Sequence, residues 1–519
     1  MELSGNNLSG PIPDEITRLK KLNTLEMWGN QLSGTIPMGF RNLTELTSFD
    51  VSINNIGGNL TELKYLTKLQ SLQLFRNQFS GEVPVELGDF EGLVDISFFA
   101  NMLSGQLPQN LGSKSKFQSL DASMNYFTGP IPPNMCKQGK MSYLALLENQ
   151  FSGEIPESYA SCTTLARFRV SNNLLTGKVP PGLWGLPNAD IIDLQMNSFE
   201  GPVMPDIGRA VSLQQLYLGS NHFSGQLPTE ISKASSLVQL KAESNNFSGP
   251  IPSSIGDLAQ LNVLYLQGNS FSGVIPDSLG SCNSLNDLNL AGNRLSGPIP
   301  DSLGALPSLN FLNMSDNQLS GGIPQSLSSL KLSLLDLSYN SLSGQIPSAL
   351  LVEANNRSFA GNPGLCGGGA FHNCFTKSSK SRDIRMILSC FLSGTALILA
   401  SFGRISLGKA VRECIPSLPE QWEDTCSETH MELPETGDQS FRSNTAMLGK
   451  RPERVANKEF EAEVTTLSSI RHINVVQLYC SITSEDSNLL VYEFLQNGSL
   501  WDQLHTSTNT VLEGRTHHT

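Results

Sequence analysis

An asparagine returns at an almost constant interval along most of this chain: Asn6, Asn30, Asn54, Asn77, Asn101, Asn125, Asn149, Asn173, Asn197, Asn221, Asn245, Asn269, Asn293, Asn317 and Asn340. The fifteen positions are 24 residues apart except for two steps of 23. The pattern Asn-x-(Leu/Phe/Ile)-(Ser/Thr)-Gly-x-(Ile/Val/Leu)-Pro recurs with them. A chain of 519 residues does not close on a single ordinary core. One that repeats this regularly must stack turn upon turn, each burying its apolar side against the next. The 45 Gly and 28 Pro, spread evenly, suit a chain that bends once per rung.

Upstream of each Asn lies an apolar pattern such as Leu69, Leu72 and Leu74 before Asn77. A period in this range with this pattern is the leucine-rich-repeat signature. The alternating Leu pair predicts a short strand with one face in the core. The Asn amide is placed to satisfy backbone groups left unpaired where the chain turns. Gly permits a tight bend, and Pro fixes φ on the convex side. The fold predicted is a solenoid over residues 1–349, with parallel strands on its concave face. After Asn54 the sequence reads Gly57-Gly58-Asn59-Leu60 without the Ile-Pro, which predicts a local irregularity and not a break. A formal charge of −13 argues against a nucleic-acid partner.

The Leu-Ser-Gly-x-Ile-Pro rungs resemble the ectodomain of plant leucine-rich-repeat receptor-like kinases. The segment from Phe359 to Cys366, with Cys374 beyond it, resembles that family's C-terminal cap, assigned to residues 350–376. The resemblance implies a Cys366–Cys374 disulfide formed in an oxidising compartment. Cys136, Cys162 and Cys282 fall on the convex halves of single rungs and read as buried small residues. A Cys136–Cys162 bridge between adjacent rungs stays open. Six sequons, at Asn7, Asn42, Asn59, Asn246, Asn313 and Asn356, fit a glycosylated extracellular surface, although Asn7 and Asn246 also arise from the repeat itself.

Beyond a basic linker, 377–385, residues 386–403 carry no charge and span about 27 Å as a helix, against about 30 Å of hydrocarbon. They predict a single pass through the lipid bilayer of the plasma membrane, with the repeats outside. Basic residues flank both ends, so charge alone does not orient the span. Met1 opens inside a rung with no leader pattern, and the family's N-terminal cap is missing from the sequence; the simplest account is a truncated chain.

After a linker, 404–457, residues 458–510 resemble part of a kinase N-lobe, and 511–519 match nothing in the family. By that resemblance Glu463 is the αC glutamate, and Glu493 and Phe494 lie in the hinge where adenine binds. The family uses ATP and Mg; here no cofactor is expected. The helix is preceded by neither a Gly-x-Gly-x-x-Gly loop nor a Val-Ala-x-Lys strand, and no catalytic loop or metal-binding Asp follows.

On the concave face, side chains at −6, −4 and −2 from each Asn point outward. Three are basic, and two of these, Arg167 and Arg169, share one strand about 7 Å apart, a fork pair suited to a carboxylate. The Arg-x-Arg strand resembles that of the HAESA and HAIKU group of peptide-hormone receptors, where it holds the free C-terminal carboxylate of a secreted peptide. The rest of such a peptide would run past Tyr143, Asp121, Phe99 and Phe75. The competing reading is a solvated pair neutralised by Asp193 or Glu148.

Three functions compete: a peptide receptor working with a leucine-rich-repeat co-receptor kinase, a kinase-silent decoy or co-receptor, and a wall-associated inhibitor protein. The predicted span and kinase-like segment argue against the last. Purified residues 404–519 are expected to bind no ATP and to incorporate no phosphate from labelled ATP. Incorporation above a mock preparation would contradict this reading.

Overall fold

The computed structural model describes residues 1–351, 357–367 and 374, together with the backbone of three strands, Thr445–Met447, Leu478–Thr483 and Asn488–Glu493. The chain divides into two units, residues 1–391 and 392–519.

In the first unit, the predicted Leu pairs form three-residue strands that stack into one parallel sheet of fourteen, from Thr24–Glu26 to Leu334–Asp336. Register is uniform: Tyr143, Arg167 and Ile191 sit opposite one another, as do Ala145, Arg169 and Asp193. Each strand buries its middle residue, such as Leu144, Phe168 or Ile192, and turns its outer two toward the concave surface.

The sequence reading did not anticipate a second parallel sheet. The Ser-Gly segments after each Asn also pair, giving fourteen strands from Gly57–Gly58 to Gly364–Cys366. At the irregular rung the strand shrinks to Gly57–Gly58 and holds its predecessor by one bridge, Thr35 to Gly57. Ser9–Pro11 and Gln31–Ser33 therefore stand as a separate pair, while the concave sheet runs on unbroken. The recurring Pro of most rungs precedes a short 3-10 helix on the convex side, as Pro228 does before Thr229–Lys233. Between the sheets, Phe199, Phe223, Phe247 and Phe271 stack at 6.0 to 6.2 Å, an offset aromatic spine along the solenoid axis.

The recurring Asn holds each turn. Nδ2 of Asn125 donates to the carbonyls of Phe98, Ala122 and Ser123 at 2.9 to 3.3 Å, and its Oδ1 accepts Leu103 N–H at 2.9 Å. One buried side chain thus satisfies two rungs. The residue before each Asn is bent into the left-handed region, including non-glycines such as Met124 at φ 56 and Glu148 at φ 53. The same bonding recurs at Asn362, inside the segment assigned to the cap, so the ladder continues one position past the fifteen read from sequence.

The Cys136–Cys162 pairing left open by the sequence is formed, and both residues are buried as expected; turns over 133–138 stand where most rungs have a 3-10 helix. Cys366 and Cys374 are also bonded. Cys282 is a buried thiol, its pKa pushed up to about 11 by burial.

In the second unit, Asn488–Glu493 lies between Leu478–Thr483 and Thr445–Met447 in an antiparallel sheet. The predicted membrane span at 386–403, Glu463, Phe494 and Asn356 lie outside the described residues, and Glu493 is described in its backbone alone. Among the described residues no helix is long and apolar enough to cross a membrane.

Replacing Asn125 by Ala leaves the buried Leu103 N–H without its acceptor, at a cost of about 1 to 3 kcal/mol, and takes one of two donors from the carbonyls of Phe98, Ala122 and Ser123, which keep Asn101, Asn149 and the Ala100 N–H. The expected outcome is about 1 to 3 kcal/mol of lost stability, seen by hydrogen exchange as lost protection across the flanking rungs. Unchanged protection would contradict the ladder's role.

Candidate functional site

Arg167 and Arg169 occupy the two outward positions of the strand Arg167–Arg169. Phe168 between them is fully buried, edge-on to Tyr159 at 5.7 Å, and the Tyr159 hydroxyl donates to the Pro132 carbonyl at 2.8 Å. The Cys136–Cys162 bond joins the convex halves of the same two rungs. The strand is fixed from behind while its arginines face the concave surface.

Both arginines have carboxylate neighbours from the next rung. Nη2 of Arg169 lies 3.3 Å from Oδ2 of Asp193, and Nε of Arg167 lies 3.5 Å from Oδ2 of Asp190. Asp193 is 2% exposed and accepts from Ser171 Oγ at 3.0 Å and Gln195 Nε2 at 3.2 Å as well. Asp190 is 32% exposed, and its Oδ1 is buried with no hydrogen-bond partner; Nε of Arg169 is likewise unpartnered. Of the neutralising partners considered from sequence, Asp193 is in place. Glu148 is exposed on its turn and forms no ion pair with either arginine among the described residues. Asp190 was missed because it stands at −7, one residue before the alternation that exposes −6, −4 and −2.

Tyr143 stands directly opposite Arg167 in the sheet, and its hydroxyl reaches Asp121 Oδ2 at 3.5 Å. Burial, then the Asp121 charge, raises the Tyr143 pKa above the ordinary phenol value, so the group is a neutral donor. Phe99 and Phe75 are half-buried on the same face, with the Arg76 guanidinium 5.9 Å over the Phe99 ring. From Arg169 back to Phe75 is four rungs, about 19 Å, the reach of roughly six extended residues. The predicted residues therefore form one continuous track.

Beyond the arginines lies a second group. Lys241, the third basic position, sits between the rings of Tyr217 and Tyr265 at 5.0 and 5.7 Å. Glu243 folds over Gly219, where an added Cβ would come 2.4 Å from Glu243 Oε1, and its Oε2 is buried without a partner. Glu243 was not singled out from sequence; its place at −2 is the signal that would have found it.

Of the described sequons, Asn7, Asn42, Asn59 and Asn246 are exposed. Asn313 is half-buried on the concave strand Phe311–Asn313, where its Oδ1 accepts from Ser315 N–H and Oγ.

A family model described as Leucine Rich Repeat matches residues 21–43, 212–234, 260–282, 284–306, 308–330 and 331–351. One described as Protein tyrosine and serine/threonine kinase matches 442–518. The chain is similar to Receptor-like protein kinase HAIKU2 of Arabidopsis thaliana, 61% identical over 82 residues, which span 16% of this chain and 8% of that relative. The Arabidopsis HAESA ectodomain, solved with an N-terminally extended IDA peptide hormone, is 43% identical with a TM-score of 0.70, covering 71% of this chain and 62% of that one. A structure of HAESA with IDA and the co-receptor SERK1 is 35% identical at a TM-score of 0.56, covering 71% of this chain and 78% of that one.

Burial raises the Glu243 carboxyl above its ordinary 4.5, against the lowering effect of a backbone hydrogen bond and of Lys241. A raised acid in the folded state contributes stability below its unfolded value and loses it as pH climbs through the raised one. Glu243→Gln is therefore expected to melt higher than the wild type at about pH 7 and no higher at about pH 4. Parallel melting curves at both pH values would contradict this.

Proposed function

The chain belongs to the leucine-rich-repeat receptor kinases of plants, and from that premise we propose that its concave face receives a secreted peptide whose free C-terminal carboxylate is held by Arg167 and Arg169. The observation that carries the reading is the pair itself: two guanidinium groups side by side on the concave face, on a strand that is locked from behind. Planar donors on a fixed strand suit a carboxylate, because two parallel charge-assisted hydrogen bonds define its orientation as well as its sign. The peptide's remaining residues then lie extended over Tyr143, Asp121, Phe99 and Phe75, with the neutral Tyr143 phenol as a donor beside the arginines.

The same reading places residues 386–403 in the plasma membrane and the glycosylated repeats outside. A leucine-rich-repeat co-receptor kinase joins the complex, as SERK1 does with HAESA. Between residues 404 and 457 no phosphate-cradling glycine loop or lysine strand leads into the kinase-like segment, so the signal of this chain passes through the partner's kinase.

Calorimetry with a panel of secreted plant peptide hormones, IDA among them, tests the clamp, each peptide taken as free acid and as C-terminal amide. Charged hydrogen bonds contribute about 1.5 to 3 kcal/mol each, so Arg167→Ala or Arg169→Ala is expected to weaken the binder by roughly ten- to a hundredfold. Amidation is expected to cost a similar factor, and the two losses should not add. Equal affinity of acid and amide for the unmodified chain would overturn the clamp.

A further inference from the structure

The two aspartates beside the clamp are not equivalent. Asp193 is buried, accepts from three side chains, and shares its charge with Arg169 from a fixed position. Asp190 enters from the strand's approach, at −7, and holds Arg167 through one oxygen at 3.5 Å, while its other oxygen is buried without a donor. Arg167 is half exposed, and the strand position facing it across the next rung is Ile191, which offers no polar group. Arg167 can therefore swing from Asp190 to a new carboxylate at small cost. Arg169 is more strongly held.

We propose, building on the clamp reading above, that Asp190 is an internal stand-in for the ligand's carboxylate and sets how tightly the clamp closes, whereas Asp193 is a positioning residue for Arg169. In the unliganded site Arg167 rests on Asp190. On binding, the peptide terminus takes that place, and Asp190 is released to water, to which its side chain is already partly open. The exchange leaves the count of ion pairs unchanged, so affinity depends on how much better the incoming carboxylate satisfies the two guanidiniums than Asp190 does. It also gives selectivity: an amidated terminus or a neutral side chain cannot displace a carboxylate from an arginine. Both unpartnered atoms of the site, Asp190 Oδ1 and Arg169 Nε, lie within this four-residue group, which fits an arrangement completed only by a ligand.

Simple electrostatics makes a different prediction. If only net charge mattered, removing either aspartate would favour an anion, and the more buried Asp193 would have the greater effect. Partner exchange instead predicts opposite signs. A half-exposed ion pair is weak, so its removal is expected to tighten carboxylate binding only about two- to fivefold.

The test uses the full chain and a minimal C-terminal carboxylate, N-acetylglycine, with N-acetylglycinamide as its neutral counterpart. Modification of Arg167 and Arg169 by phenylglyoxal is followed residue by residue by mass spectrometry, and the probe's protection of each is titrated. In the wild type the acid is expected to protect both arginines and the amide neither. In Asp190→Asn the half-protecting concentration should fall about two- to fivefold, and unprotected Arg167 should react faster. In Asp193→Asn it should rise, with a smaller ratio between acid and amide. Asp190→Ala is expected to follow Asp190→Asn, which guards against an effect peculiar to the amide side chain. Equal midpoints in wild type and Asp190→Asn, or equal tightening in both aspartate variants, would overturn the inference while leaving the clamp standing. Absence of protection by the acid in every variant would overturn the clamp, and the inference with it.

Discussion

Everything on the concave face depends on the buried asparagine ladder. At each rung the chain must reverse from the concave strand into the second sheet, and it does so through a left-handed residue that costs a non-glycine about 1 to 2 kcal/mol. That bend is held at Ile53, Arg76, Ala100, Met124 and further non-glycines along the solenoid. What offsets it is the next residue, whose amide donates to carbonyls of its own and the preceding rung and accepts an N–H across the turn, as Asn173 does with Leu146, Val170, Ser171 and Phe151. Because the ladder crosses between rungs, it also sets their registration. Uniform strand pairing from Thr24 to Asp336 is the consequence.

Fixed registration turns a sequence offset into a position in space. Arg167 and Arg169 are neighbours because they lie two positions apart on one strand, and Tyr143 is beside them because it stands 24 positions before Arg167. The same rule explains the acidic partner of Arg169, since Asp193 is one full repeat away. A rigid scaffold that presents side chains on a lattice is suited to an extended ligand, whose own residues repeat at a comparable spacing.

The strands, the concave face and the Arg pair were legible because they follow from the period and from alternation, which are properties of sequence spacing alone. The second sheet was not, since Ser-Gly-x segments have weak strand propensity and pair only because the asparagine ladder delivers them side by side. Asp190 escaped for a related reason: it lies outside the alternation, and its contact with Arg167 depends on how the chain enters the strand. The Cys136–Cys162 bond required knowing that turns replace the 3-10 helix over 133–138, a substitution that no local pattern announces. Asn362 was hidden by its spacing of 22 residues from Asn340 and by its place in a segment read as a cap.

The central claim is that the two arginines receive a peptide's C-terminal carboxylate. A structure of the full chain bound to a peptide selected for tight binding tests it most directly. The account predicts the terminal carboxylate at about 2.7 to 2.9 Å from guanidinium nitrogens of both Arg167 and Arg169, with Arg167 withdrawn from Asp190. A peptide terminus lying elsewhere on the concave face, with the Arg167–Asp190 contact intact, would contradict it.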